Sequence, residues 1–317
     1  MARKNESDQI RKLMNEMTLT GKIAELTVRR GTDKNNILYI SVKGVVQFST
    51  DKAASRRFEC WEPEFRINKE TKEQKKNTGY DRVEQFLKHA EANTIAKVGY
   101  DNAYVCSLVC NVEPNDYVNS KNELKEGLRL VSKFYNTPGE KGSPIEYGTT
   151  SQIEGYLQSI VAEVSGENRE ETGRLRATVL STNYFGDLVV FKNVVIKADD
   201  VETVSDNYEV GCTAKFFFEY EFTRVQEAPK QGGFGKRRSD DRVITELVMA
   251  GADPACDEDS DKAISKTAIK IAMNERQARL NELKEKGYQG NQSQSSTHSN
   301  TSTVTKNTVI ADDDIPF

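Results

Sequence analysis

The residues in this chain best suited to do chemistry are aromatic and cationic side chains in alternation. Tyr39, Lys43, Arg56, Arg57, Trp61, Phe65, Arg66 and Lys69 fall within one early stretch, and Arg174, Arg176, Tyr184, Phe185, Phe191 and Lys192 within a later one. The loop KQGGFGKRR adds Lys230, Phe234, Lys236, Arg237 and Arg238 in a segment too rich in glycine to form core. Aromatic rings stack on any base and cations pair with phosphate, so this mixture points to binding of a single nucleic-acid strand. Alternate strand residues face opposite ways, so part of this set belongs to the core, and the Phe216–Phe218 run mixes core and surface.

Covalent and redox chemistry is poorly supplied. The chain has two histidines: His89 falls in the helical run DRVEQFLKHAEAN, and His298 in low-complexity sequence. A nucleophile–histidine device has little to draw on. There is no phosphate loop of the GxxxxGK type and no strand-anchored GxGxxG. Five scattered cysteines, Cys60, Cys106, Cys110, Cys212 and Cys256, give only one close pair, and YVCSLVC has no second pair to complete a zinc site. No metal, no cofactor and no enzymatic activity are expected.

Elements that position these groups are mostly strands. MTLTGKIAELTVRR and NNILYISVKGVVQFST alternate apolar and polar residues after a short polar helical start, and a third strand is expected over residues 57–65. The polar stretch NKETKEQKKNTG leads to a helix from Tyr80 to Ala92, then strands in NAYVCSLVCNVE and GLRLVSKFYNT. TPGEKGSP at 137–144 reads as a linker, after which QIEGYLQSIVAEVS, GRLRATVLSTNY, GDLVVFKNVVIKA, EVGCTAKFFFEYEFTRV and DRVITELVMAG restart the strand pattern, with room for a short helix before the fourth.

Leu19-x-Gly21-x-Ile23-x-x-Leu26 has the spacing of Ile153-x-Gly155-x-Leu157-x-x-Ile160, and Gly127, which opens GLRLVSKF, resembles Gly211, which opens GCTAKFFF. A glycine in a first strand allows the coil that a small closed barrel needs. Three strands, a helix and two strands is the order of the OB-fold, so the expected fold is mainly β, with two tandem OB-fold barrels. The expected units are residues 1–140 and 141–256, a charged helix at 257–288 and a disordered acidic-tipped tail at 289–317.

The chain of 317 residues is 36% hydrophobic and 30% charged, and its mean hydropathy is −0.68. That dilution fits a solvated tail on ordinary cores. No apolar run approaches the roughly 20 residues of a membrane helix, and MARKNESDQIRKL lacks a signal segment, so a cytoplasmic location is expected. The net charge of −4 argues against a globally basic protein but allows a basic face beside an acidic tail.

The helical stripe Ile264, Ala268, Ile271, Leu280 and Leu283 is thin enough for a solvated or lightly docked helix, and QGNQSQSSTHSNTSTVTKNT then carries nothing to form a core. The chain ends Asp312, Asp313, Asp314, Ile315, Pro316, Phe317. This tip resembles that of bacterial single-stranded DNA-binding proteins. NDYVNSKNELKEG, ETGRLRATV, DNYEVG and ITELVMAG resemble a group of two-domain phage proteins thought to bind single-stranded DNA. The resemblance implies strand protection in replication, recombination or repair. It also implies recruitment of a helicase, primase, polymerase or nuclease through Phe317 and its carboxylate, with the aspartates steering. Two barrels in one chain depart from the standard bacterial form. The rival expectation is a non-enzymatic adaptor whose barrels bind protein.

Overall fold

The computed structural model describes residues 10–68, 71–138, 144–166, 168–226, 241–257 and 259–288. The first strand, β1 (Asn15–Thr32), pairs with β2 (Leu38–Gln47), and β2 with β3 (Ser55–Pro63), all antiparallel. A small hairpin, β4 (Phe65–Ile67) and β5 (Gln74–Lys76), precedes helices α1 (Thr78–Ala90) and α2 (Ile95–Val98). Next come β6 (Val105–Pro114), a second hairpin β7 (Tyr117–Val118) and β8 (Leu124–Lys125), and β9 (Leu128–Asn136). β9 pairs parallel to β3 and antiparallel to β6, and β6 returns to β1, closing a five-stranded barrel.

The second set repeats that order. β10 (Gly148–Ser165), β11 (Glu170–Thr182) and β12 (Leu188–Ile196) form a meander, followed by α3 (Val201–Asn207), β13 (Thr213–Gln226) and β14 (Asp241–Ala252). β14 runs parallel to β12 and antiparallel to β13, and β13 closes on β10. In both barrels the strand order is first, second, third, fifth, fourth, with helix between third and fourth. That is the OB topology.

The same device coils the first strand of each. A Cβ at Gly21 would lie 2.6 Å from the Gln47 carbonyl oxygen, and one at Gly155 would lie 2.7 Å from that of Leu180. Both barrels then carry a bulge, between Ile23 and Glu25 and between Leu157 and Ser159. The Gly127–Gly211 resemblance is not structural: Gly127 precedes the fifth strand of its barrel and Gly211 the fourth of the other.

The helix in the first barrel starts where Asn77 Oδ1 accepts the Gly79 amide at 3.1 Å, and its face of Val83, Phe86, Leu87 and Ala90 repeats at helical spacing. That face closes one end of the barrel, with Phe86 stacked on Tyr135 at 4.6 Å and edge-on to Phe58. The barrels are also packed on each other. β1 pairs with β10 from Asn15 opposite Ile153 to Thr20 opposite Gly148, so one ten-stranded sheet runs through both. Asn15 donates from Nδ2 to the carbonyls of Val112 at 2.9 Å and Thr182 at 3.1 Å, one in each barrel.

Helix α4 (Lys266–Lys286) ends the described chain. Its first turn is capped by the Ser265 hydroxyl, and Ile264 and Ile269 pack with Leu13, Tyr156, Leu180 and Leu188. Of the expected alternatives, solvated or lightly docked, the helix is docked: Ala268, Ile269, Arg276 and Leu280 are buried, and Arg276 binds Asp116 and Glu126 of the first barrel. A helical start before β1 is not found: residues 10–14 are non-helical, and residues 1–9 lie outside the described set. The polar stretch NKETKEQKKNTG contributes β5, which pairs with β4 just before it. The core of the 137–144 linker, the KQGGFGKRR loop and the 289–317 tail lie outside the described residues. Among the described residues no helix is long and apolar enough to cross a membrane.

Candidate nucleic-acid interface

Three strands of the first barrel present one outward sheet. Register places Gly31 beside Tyr39 and Tyr39 beside Pro63, then Arg29, Ser41 and Trp61 in the next row, then Thr27, Lys43 and Glu59, then Glu25, Val45 and Arg57. The alternate residues Ile40, Val42, Phe58 and Cys60 fill the barrel, as a period of two requires. Tyr39 and Trp61 therefore lie on one face, ring centroids 5.8 Å apart and tilted by 32°. Trp61 is 48% exposed. The lack of a side chain at Gly31 lets the Tyr39 ring lie across β1, since a Cβ there would meet the Tyr39 hydroxyl at 3.0 Å.

Cations border these rings. Arg29 and Lys43 are exposed and make no ion pair or hydrogen bond among the described residues, and Arg57 is exposed one row further on. Glu59, paired with Lys43 across β2 and β3, is bound by Arg129 at 2.8 Å, and Arg129 also binds Glu113 at 2.9 Å.

At one end of the rows the β1–β2 turn is held by Asp33 Oδ1, which accepts the amides of Asn35 and Ile37 at 2.8 and 2.9 Å. Lys34 is exposed in this turn. At the other side the β4–β5 hairpin is rooted by the Glu64 amide donating to the Leu38 carbonyl at 2.7 Å. It presents Arg66 opposite Lys75, with Phe65 half-buried opposite Lys76. Arg66 reaches Glu62 at 2.9 Å, and Lys76 reaches Asp81 at 3.2 Å. Sequence reasoning missed Arg29, Lys34 and Lys75: strand pairing brings Arg29 into the row of Trp61, while Lys34 sits in the β1–β2 turn and Lys75 faces Arg66 in the β4–β5 hairpin.

The second barrel differs at the corresponding place. Arg174 and Arg176 are half-buried on β11 and close an ionic quartet with Glu163 and Glu246. Arg174 binds Glu246 at 2.7 Å and Arg176 binds it at 2.6 Å. Burial opposes ionisation of both glutamates, but hydrogen bonds from Thr172 and Arg176 to Glu163, and from Arg174 and Arg176 to Glu246, hold both below the usual carboxylate value. Two arginines thus meet two carboxylates, and neither keeps an uncompensated charge for phosphate.

Other expected binding residues separate. Phe191 is fully buried, 5.4 Å from Phe218, and a core ring offers no face to a base, so it leaves the candidate set. Lys192 bridges to Glu126 of the other barrel at 2.9 Å. Tyr184 and Phe185 form a second exposed aromatic pair in the β11–β12 turn, 62% and 59% exposed, with the Lys12 ammonium 4.0 Å over the Tyr184 ring. Arg56 points away from the open sheet and lies over Tyr220 of the second barrel at 3.7 Å. Lys69, Lys230, Phe234, Lys236, Arg237, Arg238 and Asp312–Phe317 lie outside the described residues. Among the described residues no group of three or more His, Cys, Asp or Glu is placed to hold a metal ion.

Two closed barrels of OB topology, one with an open aromatic and cationic sheet, define the class of this chain. It belongs to the YorF family, whose family model matches residues 13–286. Among solved structures, the chain is similar to the wild-type single-stranded DNA binding protein from Thermus aquaticus, at 10% identity and a TM-score of 0.42, covering 79% of this chain and 97% of that one. A deletion mutant of the same Thermus aquaticus protein is similar at 8% identity and a TM-score of 0.40, covering 80% and 99%. No curated protein matches the chain.

Proposed function

We propose that this chain binds single-stranded DNA without sequence preference and protects it during replication or recombination. The observation that carries the reading is the pair of half-buried Tyr39 and exposed Trp61 beside Arg29 and Lys43, two exposed cations that make no ion pair among the described residues. OB barrels bind oligonucleotides on this part of the sheet and its adjoining loops. Stacking rings with uncommitted cations are what a strand of any sequence needs. The second barrel, with its arginines satisfied internally, serves as a scaffold for the first. No cofactor enters this scheme.

Residues 1–140 and 141–256 are proposed as the two barrel units, with 257–288 as a docked helix. Residues 289–317 act as a tether that presents Asp312–Phe317 to replication or recombination enzymes. Anchoring by Phe317 and its carboxylate, with steering by Asp312, Asp313 and Asp314, follows from the chemistry of such a tip.

The test is a mobility shift with oligo-dT across a salt series. Retardation that weakens steadily with salt supports the reading. No retardation at low salt overturns it in favour of a protein-binding adaptor. Deleting Asp312–Phe317 should leave the shift intact while removing capture of a partner enzyme.

A further inference from the structure

Arg56 begins where the open sheet ends. It lies next to Arg57 on β3 but on the opposite side, opposite Val46, and its guanidinium crosses to the second barrel. There it lies 3.7 Å over the Tyr220 ring and 5.3 Å from that of Phe222. Phe48 packs against Phe222 at 5.6 Å, and Asp51 is taken by Arg224 at 2.8 Å, so that acid of the seam is already paired. Glu221, the next residue after Tyr220, is bound by Lys197.

Among the described residues, the other arginines that are buried or half-buried are Arg11, Arg129, Arg174, Arg176 and Arg276, and each holds a carboxylate. Arg56 holds none. The residue is half-buried, and its Nε is buried without a hydrogen-bond partner. A cation partly withdrawn from water and left without a counter-charge is costly unless an anion joins it. The aromatic faces compensate in part and fix the guanidinium plane. Burial accordingly pushes the Arg56 pKa down, with the Tyr220 hydroxyl opposing.

We infer that Arg56 is a phosphate seat in the seam between the barrels, taking a phosphodiester of the strand bound on the first barrel's open sheet. The inference rests on the proposed function. Trp61 and Arg56 are separated by five positions of β3 and face opposite sides of it, so a bound strand must run roughly 17 Å along β3 and turn over its end to reach both. A bound strand of a few nucleotides spans that length, within the site size of one OB barrel.

The test uses the full chain and the variants Arg56→Gln and Arg56→Lys, with oligo-dT affinity measured across a salt series and thermal unfolding in parallel. The wild-type plot of log affinity against log salt should be steeper than that of Arg56→Gln by about 0.7, the share of one phosphate on a single strand. Arg56→Lys should keep most of the slope. An unchanged slope in a folded Arg56→Gln overturns the inference, and so does weaker binding at the same slope, which marks a packing role. Should the wild type bind no oligo-dT, the proposed function fails, and inorganic pyrophosphate then judges the seat alone. Stabilisation of wild type but not of Arg56→Gln by pyrophosphate supports it, and equal melting of the two overturns it. If Arg56→Gln does not fold, Arg56→Lys and the pyrophosphate response of the wild type carry the decision.

Discussion

Arg276 and Asp116, 160 residues apart, meet at 2.8 Å with both side chains more than nine-tenths buried. Their pair joins α4 to the hairpin region of the first barrel, and Arg276 also reaches Glu126 at 3.2 Å. Glu126 in turn takes Lys192 of the second barrel. Removing one partner of a buried pair strands the other charge, so Arg276→Ala should lower stability by about 3–5 kcal/mol. Arg279→Ala, which breaks the partly exposed bridge to Asp187, should cost at most about 1 kcal/mol. Urea unfolding of both variants checks the contrast, and equal costs would show that α4 is not clipped at Arg276.

Trp61, the chain's one tryptophan, reports on the open sheet. Oligo-dT should quench its emission, and Trp61→Ala should weaken binding by about 1–3 kcal/mol, the range for one stacked base. Emission that stays constant at saturating DNA would remove Trp61 from the interface.

The two barrels should respond oppositely to loss of arginine and lysine. Changing Arg29 and Lys43 together to Gln should flatten the salt dependence by about 0.7 for each phosphate that is no longer neutralised. Changing Arg174 and Arg176 together to Gln should leave that slope alone and lower the melting temperature, because Glu163 and Glu246 lose their partners. A flattened slope in the second variant would return the second barrel to the DNA path.

Gly21→Ala and Gly155→Ala should each cost about 1–3 kcal/mol, as overpacking does, because the new methyl meets a backbone carbonyl that cannot rotate aside. Gly251→Ala is the control, since its Cβ would meet only the Phe217 ring, at an ordinary 3.6 Å. Denaturant midpoints of the three variants decide it.

Burial raises the Cys60 thiol pKa from 9.0 to about 11 and that of Cys106 to about 12. The unfolded thiols ionise first on raising pH, so the stability these groups contribute is complete below about pH 9. It is lost as pH climbs toward the folded values. Urea midpoints at about pH 8 and about pH 10 should show the decline, and it should be smaller in Cys106→Ala. A midpoint that rises over that interval in the wild type would contradict the sign.

Much of the fold was legible because most strands bury one face. VCSLVC in β6 and the glycine spacing of Gly21 and Gly155 carry their periodicity in the residues themselves. The β4–β5 hairpin was not legible, since Gln74, Lys75 and Lys76 are all exposed and show no alternation. Nor did sequence distinguish Gly127 from Gly211, whose places in strand order depend on closure of the barrels. At the site, Tyr39 and Trp61 stood out by residue type. The neutralisation of Arg174 by Glu246, 72 residues away, and the burial of Arg276 by Asp116 depend on pairings that no local pattern contains.

The ladder between β1 and β10 also has a consequence in time. Thr18 is flanked by Val109 of β6 on one side and Thr150 of β10 on the other. During synthesis about 130 positions separate Thr18 from Thr150, or roughly 7–26 s at typical rates of elongation. Through that interval the stretch Asn15–Thr20 keeps one row of backbone amides and carbonyls unpaired, an edge on which another strand can dock. The nascent first barrel is therefore most open to mispairing before β10 emerges, and arrest of translation ahead of residue 148 should yield chains that associate through that edge.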